Sequence, residues 1–311
     1  MKLNKVVGTA GMDHETWLKY RRNGIGGSDA GAICGMNPYV TAVNVYLDKL
    51  GKKEEMEDNE VMRQGRDLEQ YVAERFMEAT GKKVRRANAI FSNAEYDFMY
   101  ANVDRLIVGE DAGLECKTAN AYSADKWKDG HIPEHYEIQC HHYMAVTGAS
   151  AWYIACVILG KGFVWKKIER DEALISDLIN IEEQFWNENV MKNVMPDPDG
   201  SAAADEIISQ YYKTADEGKA IVLNGFDERL ERRVELDELI ARAEKEKKQI
   251  EQEIKIEMED AELATAGKYS ISWKNVSQNR VDTKSLKENY PDVYKNVIKN
   301  STSRRFMVKT A

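Results

Sequence analysis

No two of the four cysteines in this 311-residue chain stand close together: Cys34, Cys116, Cys140 and Cys156 form no Cys-x-x-Cys pair. That scatter argues against a cysteine-held zinc knuckle, a dithiol redox motif and an iron–sulfur cluster, and suits thiols kept reduced in a cytoplasm. No apolar stretch is long enough to span a membrane and no N-terminal apolar run marks a secretion signal, so a cytoplasmic protein is expected. Positive charge is short as well, with 44 Lys and Arg against 53 Asp and Glu, a formal −9. Such a balance excludes a surface that is basic throughout and leaves only local clusters for polyanion contact. These are Arg21-Arg22, Lys82-Lys83 with Arg85-Arg86, Lys126 with Lys128, and Lys166-Lys167, each by itself more simply a solvated face. Proline is scarce, 5 in all, and two of them fall in Met195-Pro-Asp-Pro-Asp-Gly-Ser201, which closes the compact core. There is no internal repeat and no low-complexity tract.

What the chain does carry begins at residues 100–108 and 113–118, two apolar, β-branched runs that read as strands around Gly109-Glu110-Asp111-Ala112. With Glu110 and Asp111 as a two-residue turn, Asp104 faces Lys117 and Leu106 faces Glu115. Side chains alternate along a strand, so Asp104, Glu115 and Lys117 share one face and Cys116 points to the other. Two carboxylates and an amine in one cluster are costly to build for stability alone. A hard divalent cation such as Mg²⁺, which takes carboxylate oxygens and keeps waters, makes sense of them. The plainer alternative is a solvated salt-bridge face. From Gln64 a helix is expected, with Leu68, Tyr71, Val72 and Phe76 as its apolar stripe and Glu69 beside that stripe near its start, placed to reach inward.

The ordered set Gly65-x3-Glu69, Asp104, Glu115-x-Lys117 and Gln139 resembles the PD-(D/E)xK nuclease superfamily and, more narrowly, the YqaJ-type viral recombinases related to phage lambda exonuclease. Trp17-x3-Arg21-Arg22-x-Gly24-Ile25-Gly26-Gly27-Ser28-Asp29-Ala30 is similar to that family's N-terminal signature, and Tyr136-x2-Gln139-x3-Tyr143-Met144 to its later helix. The likeness runs from about Trp17 to Asp199, and its specificity lies in the order of the pieces. It implies an α/β fold with a PD-(D/E)xK restriction-endonuclease-like core, a central mixed sheet flanked by helices. It also implies a 5′-to-3′ double-strand DNA exonuclease of phage or prophage recombination, working in a bacterial cytoplasm. By the same likeness Asp104 and Glu115 hold Mg²⁺, or Mn²⁺ in its place, with the Cys116 backbone carbonyl. Glu69 binds through water or holds a second ion, Lys117 orients or deprotonates the attacking water, and Gln139 positions water or phosphate. The glycine-rich stretch reads as a flexible loop entering a helix capped by Ser28 or Asp29. Exposed N–H groups there, with Arg22 and the Ser28 hydroxyl, would make a phosphate cradle, the plainer alternative being an ordinary capped helix after a glycine turn, and the family likeness assigns it the 5′-phosphate of a DNA end. A homo-oligomeric ring, commonly a trimer, and a phage single-strand annealing protein as partner follow from the same resemblance. A restriction-type or junction-cleaving endonuclease, or a catalytically idle DNA-end or protein-binding scaffold, are the alternatives.

Residues 1–200 are thus expected to form the nuclease core, and 201–311 a helical, coiled-coil-like and small β extension. Within the core, 151–159 and 163–168 read as a hairpin, followed by a helix striped with Leu174, Ile175, Leu178, Ile181, Phe185, Trp186 and Val190. Within the extension, 227–262 reads as a long helix or helical hairpin, 268–274 as a strand, 286–294 as helical and 304–309 as a closing strand. His131, His135, His141 and His142 around Cys140 have partial zinc spacing, but Pro133 interrupts the helix start and ordinary packing is the preferred reading.

Overall fold

The computed structural model describes residues 1–53, 59–300 and 302–309, and it divides into two compact units, Met1–Lys213 and Thr214–Ala311. In chain order the first unit has β1 (Asn4–Gly8), α1 (His14–Arg22), β2 (Ile25–Gly26), α2 (Gly27–Ile33), α3 (Ala42–Lys49) and α4 (Glu60–Thr80). Then come β3 (Val84–Arg86), β4 (Ala89–Ser92), β5 (Met99–Asn102), β6 (Arg105–Ile107), β7 (Ala112–Ala119), a tight 3-10 segment (Ala121–Gly130) and α5 (Glu134–Thr147). The unit closes with β8 (Ala151–Ile158), β9 (Gly162–Glu169), α6 (Glu172–Gln184), which runs into a wider turn over Phe185–Val190, and α7 (Ala202–Tyr211).

Two sheets result. One is four-stranded in the order β1-β4-β5-β2, the other five-stranded in the order β3-β6-β7-β8-β9. In the second, β7 and β8 run parallel while the other pairs are antiparallel, so the sheet is mixed. On one face α4 lays Val72, Ala73 and Phe76 over Leu114, Tyr153 and Ala155. On the other lies α5, whose residues from Gln139 to Thr147 are all buried. A helix covered on every side has no polar stripe, and α5 is covered because it also packs against β4 and β5 of the other sheet.

Two sequence expectations are corrected at the heart of the core. The run 100–108 is two strands in two sheets, β5 and β6, and the chain changes sheets at Val103-Asp104. The β6–β7 register pairs Arg105 with Leu114 and Leu106 with Gly113, so Leu106 does not face Glu115. Continued by one residue, it sets Asp104 opposite Glu115 instead of Lys117. In the connection from β6 to β7, Gly109 has a φ of +82°, a left-handed conformation that glycine takes without steric cost. A slip of two residues leaves every side chain on its expected face.

The glycines before α2 are a third correction. Gly26 is the N-cap and Gly27 already lies in the helix. A Cβ on Gly27 would come within 2.5 Å of the Tyr143 ring, and one on Gly31 within 2.8 Å of His135 Cβ. These positions let α2 press against α5; they are sites of close packing in place of a flexible loop.

The second unit holds α8 (Asp227–Met258), the hairpin β10 (Leu263–Ala266) with β11 (Tyr269–Ser272), α9 (Thr283–Asn289) and α10 (Pro291–Val297). The partner of β11 is therefore β10, and 304–309 forms no strand. Among the described residues no helix is long and apolar enough to cross a membrane.

Candidate active site

Strand alternation sets Glu115 and Lys117 on the α5 face of β7, where Lys117 Nζ lies 2.6 Å from Glu115 Oε1. Asp104 arrives from the sheet-to-sheet crossing, and its Oδ2 accepts the Cys116 N–H at 2.8 Å. In an extended strand a residue's N–H and C=O leave on the same side, so the Cys116 carbonyl opens toward Asp104 too. The Cys116 side chain packs on the α4 side, as expected. From α5, Gln139 Nε2 donates to Glu115 Oε1 and to Tyr143 Oη, both at 2.8 Å. Asp104, Glu115, Lys117 and Gln139 are thus brought together from three elements.

Glu69 stands apart from them. It sits in the middle of α4, not near its start, and its carboxylate is taken by the Arg105 guanidinium. Arg105 also donates to the Asp104 carbonyl at 2.8 Å and to Gln70 Oε1 at 3.2 Å, bolting α4 to the crossing. Among the described residues, no three His, Cys, Asp or Glu side chains converge at metal-holding spacing. Asp104 and Glu115 are the carboxylate pair.

Burial, then the charges of Glu115 and Glu69, raise Asp104 well above the usual carboxylate range, and Lys117 and the Cys116 N–H only partly offset this. Glu115 Oε2 is buried with no hydrogen-bond partner, an arrangement that costs stability unless something binds it. Burial works against charge on Lys117, yet Glu115 above all, with Tyr136 and Asp104, raises its pKa, so the ammonium form is firmly held. The Tyr136 ring lies 4.5 Å from that ammonium.

A cleft of about 210 Å³ opens over this group, lined by Asp104, Glu115, Gln139 and Tyr143 together with Trp17, Arg21, Gly26, Gly27 and Ser28. Ser28 is in place as expected, but the basic residue of the cleft is Arg21, not Arg22. Arg22 turns toward Asp48, 4.0 Å away, and is absent from the lining. Trp17 and Arg21, four residues apart, share one face of α1, and the guanidinium lies 5.7 Å over the indole. That spacing was the sequence signal for Arg21. Arg21 Nη2 donates to Ser28 Oγ at 3.4 Å and pairs with Asp29. Asp29 caps Gly26 N–H at 3.0 Å and also takes Lys49 Nζ at 2.6 Å, a role beyond helix capping. Burial pushes the Asp29 carboxyl up, but Arg21 and Lys49 together hold it well below the usual range. Neither Arg105 nor Lys49 carries a local sequence signal, because the partners of both are distant along the chain. His142 bonds Glu182 and the Tyr100 carbonyl, each at 2.8 Å.

Known proteins place this chain. The family model for the YqaJ-like viral recombinase domain matches residues 16–150. A Bacillus subtilis (strain 168) protein described as uncharacterized protein YqaJ is 44% identical over 302 residues, 96% of this chain and 95% of its own. The alkaline exonuclease LHK-Exo of Laribacter hongkongensis, solved with dAMP, superposes with a TM-score of 0.50 at 21% identity, over 58% of this chain and 94% of that one. A phage-related exonuclease of Haemophilus somnus 129PT covers 57% of this chain and 99% of its own, with a TM-score of 0.43 at 13% identity. The fold is mixed α/β of the PD-(D/E)xK type, and the near-full-length relative decides the rest: the chain belongs to the YqaJ-like viral recombinase domain family.

Proposed function

We propose that this protein is a Mg²⁺-dependent deoxyribonuclease that degrades duplex DNA from its ends, 5′ to 3′, leaving 3′ single-stranded tails for recombination. Asp104 and Glu115 would hold the ion, with the Cys116 carbonyl, and Glu69 would act from farther off through its charge. When bound, the ion supplies an acidified water and neutralises charge on the leaving oxygen. Carrying this view is one observation: Glu115 Oε2 is buried and unpartnered beside a carboxyl whose ionisation Glu115 itself suppresses. A divalent cation relieves both.

The remaining groups act directly. Lys117, held as ammonium, orients the attacking water and screens the scissile phosphate; in this state it has no free pair to act as a base. Gln139 fixes Glu115 Oε1 and leaves its orientation to Tyr143. Arg21 and Ser28 at the cleft would take the terminal 5′-phosphate, Arg21 through a charge-assisted fork, and this favours an end-dependent enzyme over an endonuclease. A ring-shaped homo-oligomer and a single-strand annealing partner belong to the same proposal.

The test uses linear duplex labelled at either end and covalently closed duplex, with and without Mg²⁺. The expected result is Mg²⁺-dependent loss of linear DNA with early release of the 5′ label, and intact closed circles. Cleavage of closed circles would replace the exonuclease reading with an endonuclease.

A further inference from the structure

The groups named so far run from Arg21 on α1 and Ser28 in the first turn of α2, which line one cleft with Asp104 and Glu115, to Lys117 farther along β7. Beyond β7 the same sheet face continues across β8 and β9. Ile154 pairs with Glu115 and Ile158 with Ala119 across β7–β8, and Lys166 pairs with Ile154 across β8–β9, all on the active-site face. Ile154, Ile158 and Trp127 floor a second groove of about 520 Å³, and Lys128, Lys161 and Lys166 stand among its lining residues. Tyr136 links the two places, its ring 4.5 Å from Lys117 Nζ and 5.8 Å from the Trp127 ring.

The charge of this groove is unusual for so acidic a chain. Among the described residues Lys161 and Lys166 form no ion pair, and Lys128 pairs only with the exposed Asp125 in the same segment. Asp129 is the one acid in the lining. A cationic rim over an apolar floor complements a polynucleotide, with phosphates on the lysines and sugars and bases below.

We infer that this groove carries the substrate strand on the 3′ side of the scissile phosphate. It rests on the nuclease proposal and follows from polarity: with the 5′-terminal phosphate at Arg21 and Ser28, the strand leaving past Lys117 runs toward its 3′ end. Lys161 and Lys166 are the side chains that set its path.

Binding of a 5′-phosphorylated duplex in EDTA, read by fluorescence anisotropy at several salt concentrations, tests this apart from catalysis. Lys161→Glu with Lys166→Glu is expected to weaken binding about tenfold or more and to flatten the salt dependence by about two ions, one for each phosphate no longer held. Lys167→Glu is the control, since it carries the same charge change one residue along, on the opposite face of β9. An equal loss from Lys166→Glu and Lys167→Glu would overturn the inference in favour of a general field effect. Unchanged affinity and slope in the double variant would overturn it too and leave the groove to another occupant, such as an acidic peptide. A wild-type protein that degrades duplex while the double variant binds normally sinks this inference alone. Failure of the wild type to bind duplex sinks both.

Discussion

Lys117 Nζ and Glu115 Oε1 lie 2.6 Å apart on one face of β7, and the carboxylate's other oxygen, though buried, has no partner. An ammonium cannot ligate a cation, so in the proposed chemistry Lys117 borders the ion without holding it. Lys117→Ala should slow cleavage of linear duplex about 100- to 1,000-fold, the range for losing one preorganised charge-stabilising donor. If Asp104 and Glu115 hold the ion as proposed, Mn²⁺ binding, measured by calorimetry, should stay nearly intact. Asp104→Asn should abolish both. Near-normal turnover in Lys117→Ala would remove Lys117 from the reaction.

Arg21 and Arg22 are separable by substrate. Arg21→Ala should lower kcat/KM on 5′-phosphorylated ends by about 10- to 100-fold, equivalent to a charged hydrogen bond of about 1.5–3 kcal/mol, with a smaller change on 5′-hydroxyl ends. Arg22→Ala, outside the cleft, should treat both ends alike. The reverse ranking would restore Arg22 as the phosphate contact.

Cation binding should release a proton. Burial and the neighbouring carboxylates hold the Asp104 proton well above the usual range, and an ion must displace it. Apparent affinity for Mg²⁺ should therefore rise with pH, and titrations in buffers of different ionisation enthalpy should report the proton.

The Arg21–Asp29–Lys49 cluster should stabilise the fold in a defined pH window. Because the Asp29 carboxyl is depressed in the folded protein, its contribution is present above the ordinary value of 3.8 and lost as pH falls through the folded value. Asp29→Asn, which leaves the buried Lys49 and the part-exposed Arg21 short of a partner, should cost about 3–5 kcal/mol near neutral pH. In urea titrations that gap should narrow as pH drops below 3.8. A gap independent of pH would mean that Asp29 acts by packing and capping alone.

Where the chain is cut should matter. A protein ending at Lys213 keeps α7, whose Ala204 and Ile207 are buried, and should melt as a cooperative unit. One ending at Ser201 loses that packing and should be less stable by about 2–5 kcal/mol, the scale of removing a large core side chain. Light scattering and annealing-protein pull-down on the Lys213 product then test whether residues 214–311 carry self-association or partner binding.

Local chemistry was enough to determine much of this. Strand alternation put Glu115 and Lys117 together and Cys116 behind them, apolar runs around Gly160 gave the β8–β9 hairpin, and helical spacing gave α4 and α6. Those features depend on neighbours a few residues away, and the chain specifies them directly. Only the tertiary structure decided the rest. The β6–β7 register set Asp104 opposite Glu115, with Gly109 in a left-handed conformation in the connection, since residues 109–112 admit more than one turn and both registers bury the same faces. The run 100–108 broke at Val103-Asp104 because two sheets, not one, flank α5. Arg21 entered the cleft and Arg22 did not because consecutive helical residues point about 100° apart, and Asp29 and Lys49, 8 and 28 residues farther on, fix which of them faces inward. A periodic pattern says which residues share a face. What covers that face is settled by packing between distant segments.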